Sequence, residues 1–321
     1  MTINKKLFLS LLGERDLQEL RMLLSVSSDV KLKQSRDEYI DSMQHTHSKA
    51  YIQSSNSSLT AFMKFVGDIP LSKIDMRMAE GFVLNHFKRS QYSAALHYRN
   101  LKAAFNKFLL WKYIVENPFV QVKLPRMHKP KPTYLTPAEL QIILGNTSAA
   151  YLKDIFVFAF NSGLRLGELL NLKWNAVDLK KRVVTVRNTP EFNTKNKMDR
   201  VIPINQELFI VLKNRYPKVI DYKLNEYVFW KVKGVKLNND FVSKQFKKVV
   251  RASALDNKIH FHTLRHSFAS QLAQKDVSLY VIQKLLGHNS IITTQTYSHL
   301  NIDTLRNATD KLSIVVEGCL L

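Results

Sequence analysis

The stretch Leu286–Leu300, LGHNSIITTQTYSHL, is the one on which the reading of this chain turns. It sets His288 directly behind a glycine, follows it with small hydroxylated and β-branched residues, and reaches Tyr297 nine positions later. Taken alone it has an ordinary explanation: Gly287 ends a helix, His288 follows it, and Tyr297 is a half-buried core tyrosine. A tyrosine hydroxyl ionises near pH ~10, so one that attacks an electrophile at neutral pH needs cations or a base beside it. The rest of the chain has to supply them.

Charge is the first guide. The 321 residues hold 48 Lys+Arg against 26 Asp+Glu, a formal net charge of +22. The residues before Thr133 carry 21 basic and 11 acidic side chains, a net +10, and those from Thr133 onward carry 27 and 15, a net +12. An excess spread along the whole chain points to an anionic polymer touched by both halves. A membrane surface would also attract it, but the longest apolar run, IFVFAF at 155–160, falls far short of the ~20 residues of a spanning helix. Nucleic acid is the preferred partner. The N-terminal MTINKKLFLSLLGERD has no small-residue cleavage site after its short apolar run, and Cys319 is the sole cysteine. Both features predict a cytoplasmic protein with no disulfide framework and no thiolate metal cluster.

A seam lies in KLPRMHKPKPTYLTPAEL, where four of the nine prolines fall between Pro125 and Pro137 among Lys123, Arg126, Lys129 and Lys131. Proline fixes φ and biases the preceding residue to an extended form, so the segment reads as a stiff basic linker able to lie along a phosphate backbone. Thr136, Pro137 and Glu139 then give an N-cap, a first-turn proline and a capping-box glutamate, marking a new domain.

Before the seam the pattern is helical. Leu59, Phe62, Phe65 and Val66 share one face, as do Tyr98, Leu101, Phe105, Phe108 and Leu109, with Arg99, Lys102, Lys107 and Lys112 opposite the second stripe. After it, Tyr151–Asn161 reads as an apolar helix stopped by Ser162-Gly163, and LRLGELLNL as a second helix ending before Trp174. RVVTVRN and DRVIPI read as strands flanking TPEFNTKNKM, a hairpin loop rich in basic and amide groups. Three more helical patterns follow, ending in SLYVIQKLLGH. The fold class is mainly α with one small antiparallel sheet.

Five positions now stand beside Tyr297: Arg165 at a helix start, Lys195 on the hairpin, His262 and Arg265 three apart in HTLRH, and His288. Each has a plain alternative, since Arg165 can pair with Glu168, Lys195 can be solvated, and His262 can cap its helix. Together they make a coherent phosphodiester chemistry. In-line attack on phosphorus builds charge on the non-bridging oxygens, which guanidinium forks bind without losing a proton. Histidine titrates in the range where a phenol needs help, and a lysine can protonate a departing sugar oxygen. No step calls for a metal or other cofactor.

SGLRLGELLNLKW, TKNKMDRVIPI, HTLRHSFASQLA and LGHNSIITTQTYSHL resemble, in order, the four catalytic boxes of the tyrosine recombinase (phage integrase) family, and the half from about Ser48 to Phe119 resembles its helical core-binding, SAM-like domain. The resemblance implies an N-terminal extension at 1–30, a core-binding domain at 31–122, the linker at 123–135, a catalytic domain at 136–310 and a tail at 311–321. It implies Tyr297 as nucleophile and Arg165 and Arg265 on the scissile phosphate. Lys195, favoured over Lys197 for standing five before Arg200, becomes the general acid, with His262 and His288 in proton transfer and phosphate contact. Glu168 is left structural and His266 supporting or packing. Candidate DNA contacts are Arg99, Lys102, Lys107, Lys123, Arg126, Lys129, Lys131 and Arg200.

The same resemblance implies a 3′-phosphotyrosyl intermediate without ATP or metal, a C-shaped clamp on double-stranded DNA at a specific site, and a homotetramer assembled on two sites. It leaves room for accessory DNA-bending or directionality factors. A type IB topoisomerase would share the nucleophile and the arginines, and a catalytically silent DNA-binding protein would have lost at least one of the six positions.

Overall fold

In the computed structural model, residues 30–125, 132–188, 199–216 and 225–300 are described here. The chain falls into two compact units, Met1–Lys129 and Pro130–Leu321.

The N-terminal unit is built from α1 (Leu32–Ser42), α2 (Lys49–Val66), α3 (Met76–Arg89) and α4 (Gln91–Leu110). The starts of the last three are set locally: the side chains of Ser48, Asp75 and Ser90 accept the backbone N–H of Tyr51, Met78 and Ser93, each satisfying a donor the first helical turn leaves open. The core is aromatic. Phe62, Phe82, Phe105, Phe108 and Phe119 are fully buried, with Phe62 edge-on to Phe82 and Phe119 at centroid distances of 5.2 and 5.3 Å, the arrangement ring quadrupoles favour. Leu59, Phe62, Leu101, Phe105 and Phe108 face inward. Phe65 does not: it is 45% exposed. It lies at the margin of the α2 stripe, where its ring meets Phe82 at 5.7 Å on one side and solvent on the other.

The second unit opens with α5 (Pro137–Gly145), whose capping box is complete: Thr136 Oγ1 accepts the Glu139 N–H, and Glu139 Oε2 accepts the Thr136 N–H at 2.7 Å. Next come α6 (Ala150–Ser162), α7 (Leu166–Leu170), and a sheet of β1 (Val177–Asp178), β2 (Val183–Val186) and β3 (Arg200–Pro203). The order is β1-β2-β3, antiparallel throughout. The β2–β3 register pairs Val183 with Pro203 and Val186 with Arg200, so Val184, Val186 and Ile202 enter the core while Arg200 stands at the end of the ladder. The expected strands are present, with β1 as a short third strand that alternation over two residues could not announce.

The helical remainder is α8 (Gln206–Arg215), α9 (Asn239–Ala252), α10 (Phe261–Gln274), α11 (Leu279–Leu286), α12 (Ile291–Thr294) and a 3₁₀ segment, Gln295–Leu300. Helix α6 is buried along Ile155, Phe156, Phe158 and Ala159, with Phe156 edge-on to Phe246 of α9. The spacer between His288 and Tyr297 is helical. Ser290 Oγ caps it by accepting the Ile292 N–H. No described helix is long and apolar enough to cross a membrane.

Candidate functional site

Arg165 is presented by a chain reversal. Gly163 ends α6 at φ +63°, and a Cβ there would lie 2.5 Å from Phe268 and 2.9 Å from Leu286, so both the backbone conformation and the close approach require glycine. Two residues on, Arg165 occupies the N-cap of α7. Its backbone N–H donates to Glu168 Oε2 and its Nη1 to Glu168 Oε1, both at 2.9 Å.

Glu168 serves two arginines. Its side chain is 1% exposed and also accepts Arg200 Nη1 at 3.1 Å and Nη2 at 2.6 Å. Burial alone would raise this carboxyl, but hydrogen bonding and charge from Arg200, then Arg165, outweigh it and hold the group below its usual range. Arg200 Nε donates to Leu285 O at 3.1 Å, and Gly287, at φ +65°, has no room for a Cβ against the Arg200 side chain. Arg200 stood among the DNA-contact candidates; the structure turns its guanidinium inward, where it fastens α7 and the end of α11 to β3.

Arg265 is the hub. It is 3% exposed on α10, and its Nη1 and Nη2 donate to Gly163 O and Leu286 O, each at 2.7 Å. One buried guanidinium thus holds the turn that presents Arg165 against the helix end that presents His288. Burial is the largest cause lowering Arg265, to about 9, which leaves it a cation at neutral pH. Three guanidiniums, Arg165, Arg200 and Arg265, surround one carboxylate, a net charge of +2; Arg165 and Arg200 share Glu168, and among the described residues Arg265 is bonded to backbone carbonyls instead.

His288 follows Gly287, and its Nδ1 lies 2.9 Å from Thr294 Oγ1. Burial first, then Arg265 and Arg165, bring it down to about 4. His262 and His266, one turn apart on α10, meet edge to face at 4.9 Å. His266 is lowered to about 4 by burial, His260 and Arg265. His262 is also lowered. Crowding by protein atoms is the largest cause even though the residue is exposed, and His266 and Arg265 act in the same direction. The helix is capped by His260, not His262. All three histidines are neutral at pH 7.

Tyr297 is 2% exposed, and its Oη stands 2.5 Å from His266 Nδ1. Burial raises its hydroxyl to about 12, against the opposing pull of Arg265. The structure therefore brings Arg165, His262, Arg265, His288 and Tyr297 into one constellation. Lys195, Arg126, Lys129 and Lys131 lie outside the described residues. Arg99 and Lys123 are exposed, while Lys102 and Lys107 are half-buried, their ammonium groups 5.6 and 5.5 Å from the Tyr98 and Trp111 ring centroids. Sequence reasoning undervalued His266, whose signal was its i, i+4 spacing from His262, and had no indication of Thr294. Among the described residues no group of three or more His, Cys, Asp or Glu is placed to hold a metal ion.

The phage integrase family matches residues 133–303, and the phage integrase SAM-like domain matches residues 32–124. A tyrosine recombinase of Thermosipho africanus is 27% identical over 277 residues, 83% of this chain and 94% of that protein. One from Pseudothermotoga lettingae is 30% identical over 227 residues, 70% and 76%. Among solved structures, a lambda integrase dimer bound to a COC′ core site superposes with a TM-score of 0.71 at 21% identity, covering 84% of this chain and 78% of that one. The Tn1549 transposon integrase with circular-intermediate DNA also gives 0.71, at 23% identity, covering 86% and 99%. The fold and the matched families define a tyrosine-type site-specific recombinase. The chain belongs to the phage integrase family.

Proposed function

We propose that this protein cuts and rejoins double-stranded DNA at a specific site by two rounds of transesterification through Tyr297. The observation that carries the reading is Arg265, a buried guanidinium bonded, among the described residues, to backbone carbonyls, which joins the segments bearing Arg165 and His288 and leaves positive charge unbalanced where a phosphate would complete it. Arg165, partly exposed and held by Glu168, faces the phosphate with it.

In the first step the Tyr297 oxygen forms a bond to phosphorus and the P–O5′ bond breaks. The phenol proton passes to a neutral imidazole, His262 or His288, and Lys195 protonates the leaving 5′-oxygen. The product is a 3′-phosphotyrosyl enzyme that conserves the energy of the broken bond, so the reverse attack by another strand's 5′-hydroxyl reseals DNA without ATP, metal or other cofactor. Residues 31–122 form the helical DNA-binding domain, 123–135 the basic segment along the backbone, and 136–310 the catalytic domain. One solved relative is a lambda integrase tetramer bound to a Holliday junction, and four copies of this chain on two DNA sites are the matching assembly, open to accessory bending or directionality factors.

The test uses a nicked duplex built on the sequence that the protein enriches from a random duplex pool. The full-length protein accumulates a covalent adduct that survives denaturation. Tyr297→Phe binds the same duplex and forms none. An adduct from the Phe variant assigns the nucleophile elsewhere.

A further inference from the structure

Tyr297 cannot attack from where it stands. Its ring lies in an apolar cluster with Ala269, Ala273, Ile282 and Leu286, it is 2% exposed, and its hydroxyl is engaged at 2.5 Å by His266 Nδ1. In-line displacement needs the oxygen within about 3–3.5 Å of phosphorus on a surface that duplex DNA can approach. A phenol buried to this degree, with its polar atom already partnered, is in a resting pose.

What holds that pose is unevenly divided. The 3₁₀ segment carrying Tyr297 is reached through α12, which has four residues and turns Ile291 and Ile292 to solvent at 36% and 73% exposure; its inward anchors are Thr294, buried against His288, and the Tyr297 ring itself. His266, by contrast, is rigidly placed. It follows Arg265, which is fixed by two backbone carbonyls, and its ring packs against His262. A donor on a short, partly exposed segment thus meets a fixed acceptor, and the phenol, the stronger acid of the two, is assigned as the donor.

We propose that His266 is the positioning residue of Tyr297: its Nδ1 accepts the phenol hydrogen and fastens the side chain in the buried resting pose, so that strand cleavage begins with the exchange of this bond for one to the DNA phosphate. The inference rests on the reading of Tyr297 as nucleophile. His266 is not the base in this pose, because burial weakens the imidazole as an acceptor of a full proton while it weakens the phenol as an acid, and proton transfer between them runs uphill. Sharing the hydrogen is what remains. The expected behaviour is that of a catch: removing the acceptor leaves a buried hydroxyl unsatisfied, which destabilises the resting pose and not the reactive one.

Two measurements test it on the full chain. The first needs no DNA: the rate at which tetranitromethane nitrates Tyr297, resolved by peptide mass mapping. His266→Phe, which keeps a ring and loses the acceptor, raises that rate roughly fivefold, the scale of one net hydrogen bond; His266→Gln, which keeps an acceptor, stays near wild type. The second is the first-order rate of adduct formation at saturating nicked duplex, which rises in the Phe variant by a similar factor with unchanged DNA affinity and returns toward wild type in the Gln variant. Unchanged nitration in His266→Phe overturns the catch, and so does cleavage that falls in both variants, which would make His266 a proton carrier. If Tyr297→Phe still forms an adduct, the nucleophile reading fails instead, and the nitration arm separates the two failures because it involves no cleavage.

Discussion

Each unit buries a polar network, and the two are built on opposite terms. In the N-terminal unit Asn100, 3% exposed, donates to Ser54 Oγ at 2.9 Å and Ser58 Oγ at 3.0 Å, and Ser58 also meets His97 Nδ1 at 3.0 Å. Burial, then the neighbouring His86, lowers His97, so every member is neutral at pH 7. In the second unit the buried groups are ions: Glu168 between Arg165 and Arg200, with Arg265 beside them. A neutral bond contributes about 1 kcal/mol net, and a missing partner is tolerable because a hydroxyl turns to another acceptor. A buried ion has no such freedom, since its desolvation is offset only while its partner is present. The first network stabilises a helix interface; the second stores positive charge where an anion can be received.

The largest expected effect therefore falls on the ionic side. Glu168→Ala leaves Arg165 and Arg200 facing each other and Arg265 with no carboxylate between them, and should lower unfolding stability by ~3–5 kcal/mol, read as a reduced urea midpoint at unchanged m-value. Adduct formation should fall as well, because Arg165 loses the group that orients it. A loss under ~1 kcal/mol would mean that water already screens this cluster, and the contrast between the two networks would dissolve.

Acid should act on the same side next. His266 and His288 are held near 4 in the folded state against an ordinary value of 6.5. Between those limits the unfolded chain binds protons that the folded one refuses, so stability contributed by the neutral imidazoles is complete above about pH 6.5 and is lost as pH falls toward 4. The slope approaches about 1.4 kcal/mol per pH unit for each group. Denaturant titrations at pH 7 and pH 5 measure it. His266→Gln should flatten the dependence by one group's share, and a profile flat between pH 7 and 5 would contradict the low values.

Much of this was legible in the sequence because it is local. The α5 capping box is written within four residues, the α6 stop at Gly163 within two, and the stripes that became α4 and α10 run for several turns, long enough for a 3.6-residue period to declare itself. The illegible parts are short or distant. A four-residue helix such as α12 is shorter than any window in which a period appears, so the spacer before Tyr297 carries no helical signal of its own. Arg200 reaches Glu168 across 32 residues of sequence, and nothing in DRVIPI distinguishes an arginine turned inward from one that faces DNA. His266 was in plain sight at four residues from His262, yet its bond to Tyr297 spans 31 positions and depends on how α12 folds back. Motif order brings residues into a site; only the fold shows which atom of the site each one touches.

The smallest expected effect lies in the neutral network and sharpens the comparison most. Asn100→Ala removes both donors to Ser54 and Ser58, but Ser58 Oγ already donates to Ser54 O at 2.9 Å and keeps that bond, and no charge is exposed by the change. The cost should be about 1–2 kcal/mol, a lost amide and a small void between α2 and α4. Adduct formation at saturating DNA should keep its rate. Thermal unfolding of the variant beside Glu168→Ala gives the ratio directly. Should Asn100→Ala cost as much as Glu168→Ala, the serines would have no second partner to turn to, and neutrality would not be what makes this network forgiving.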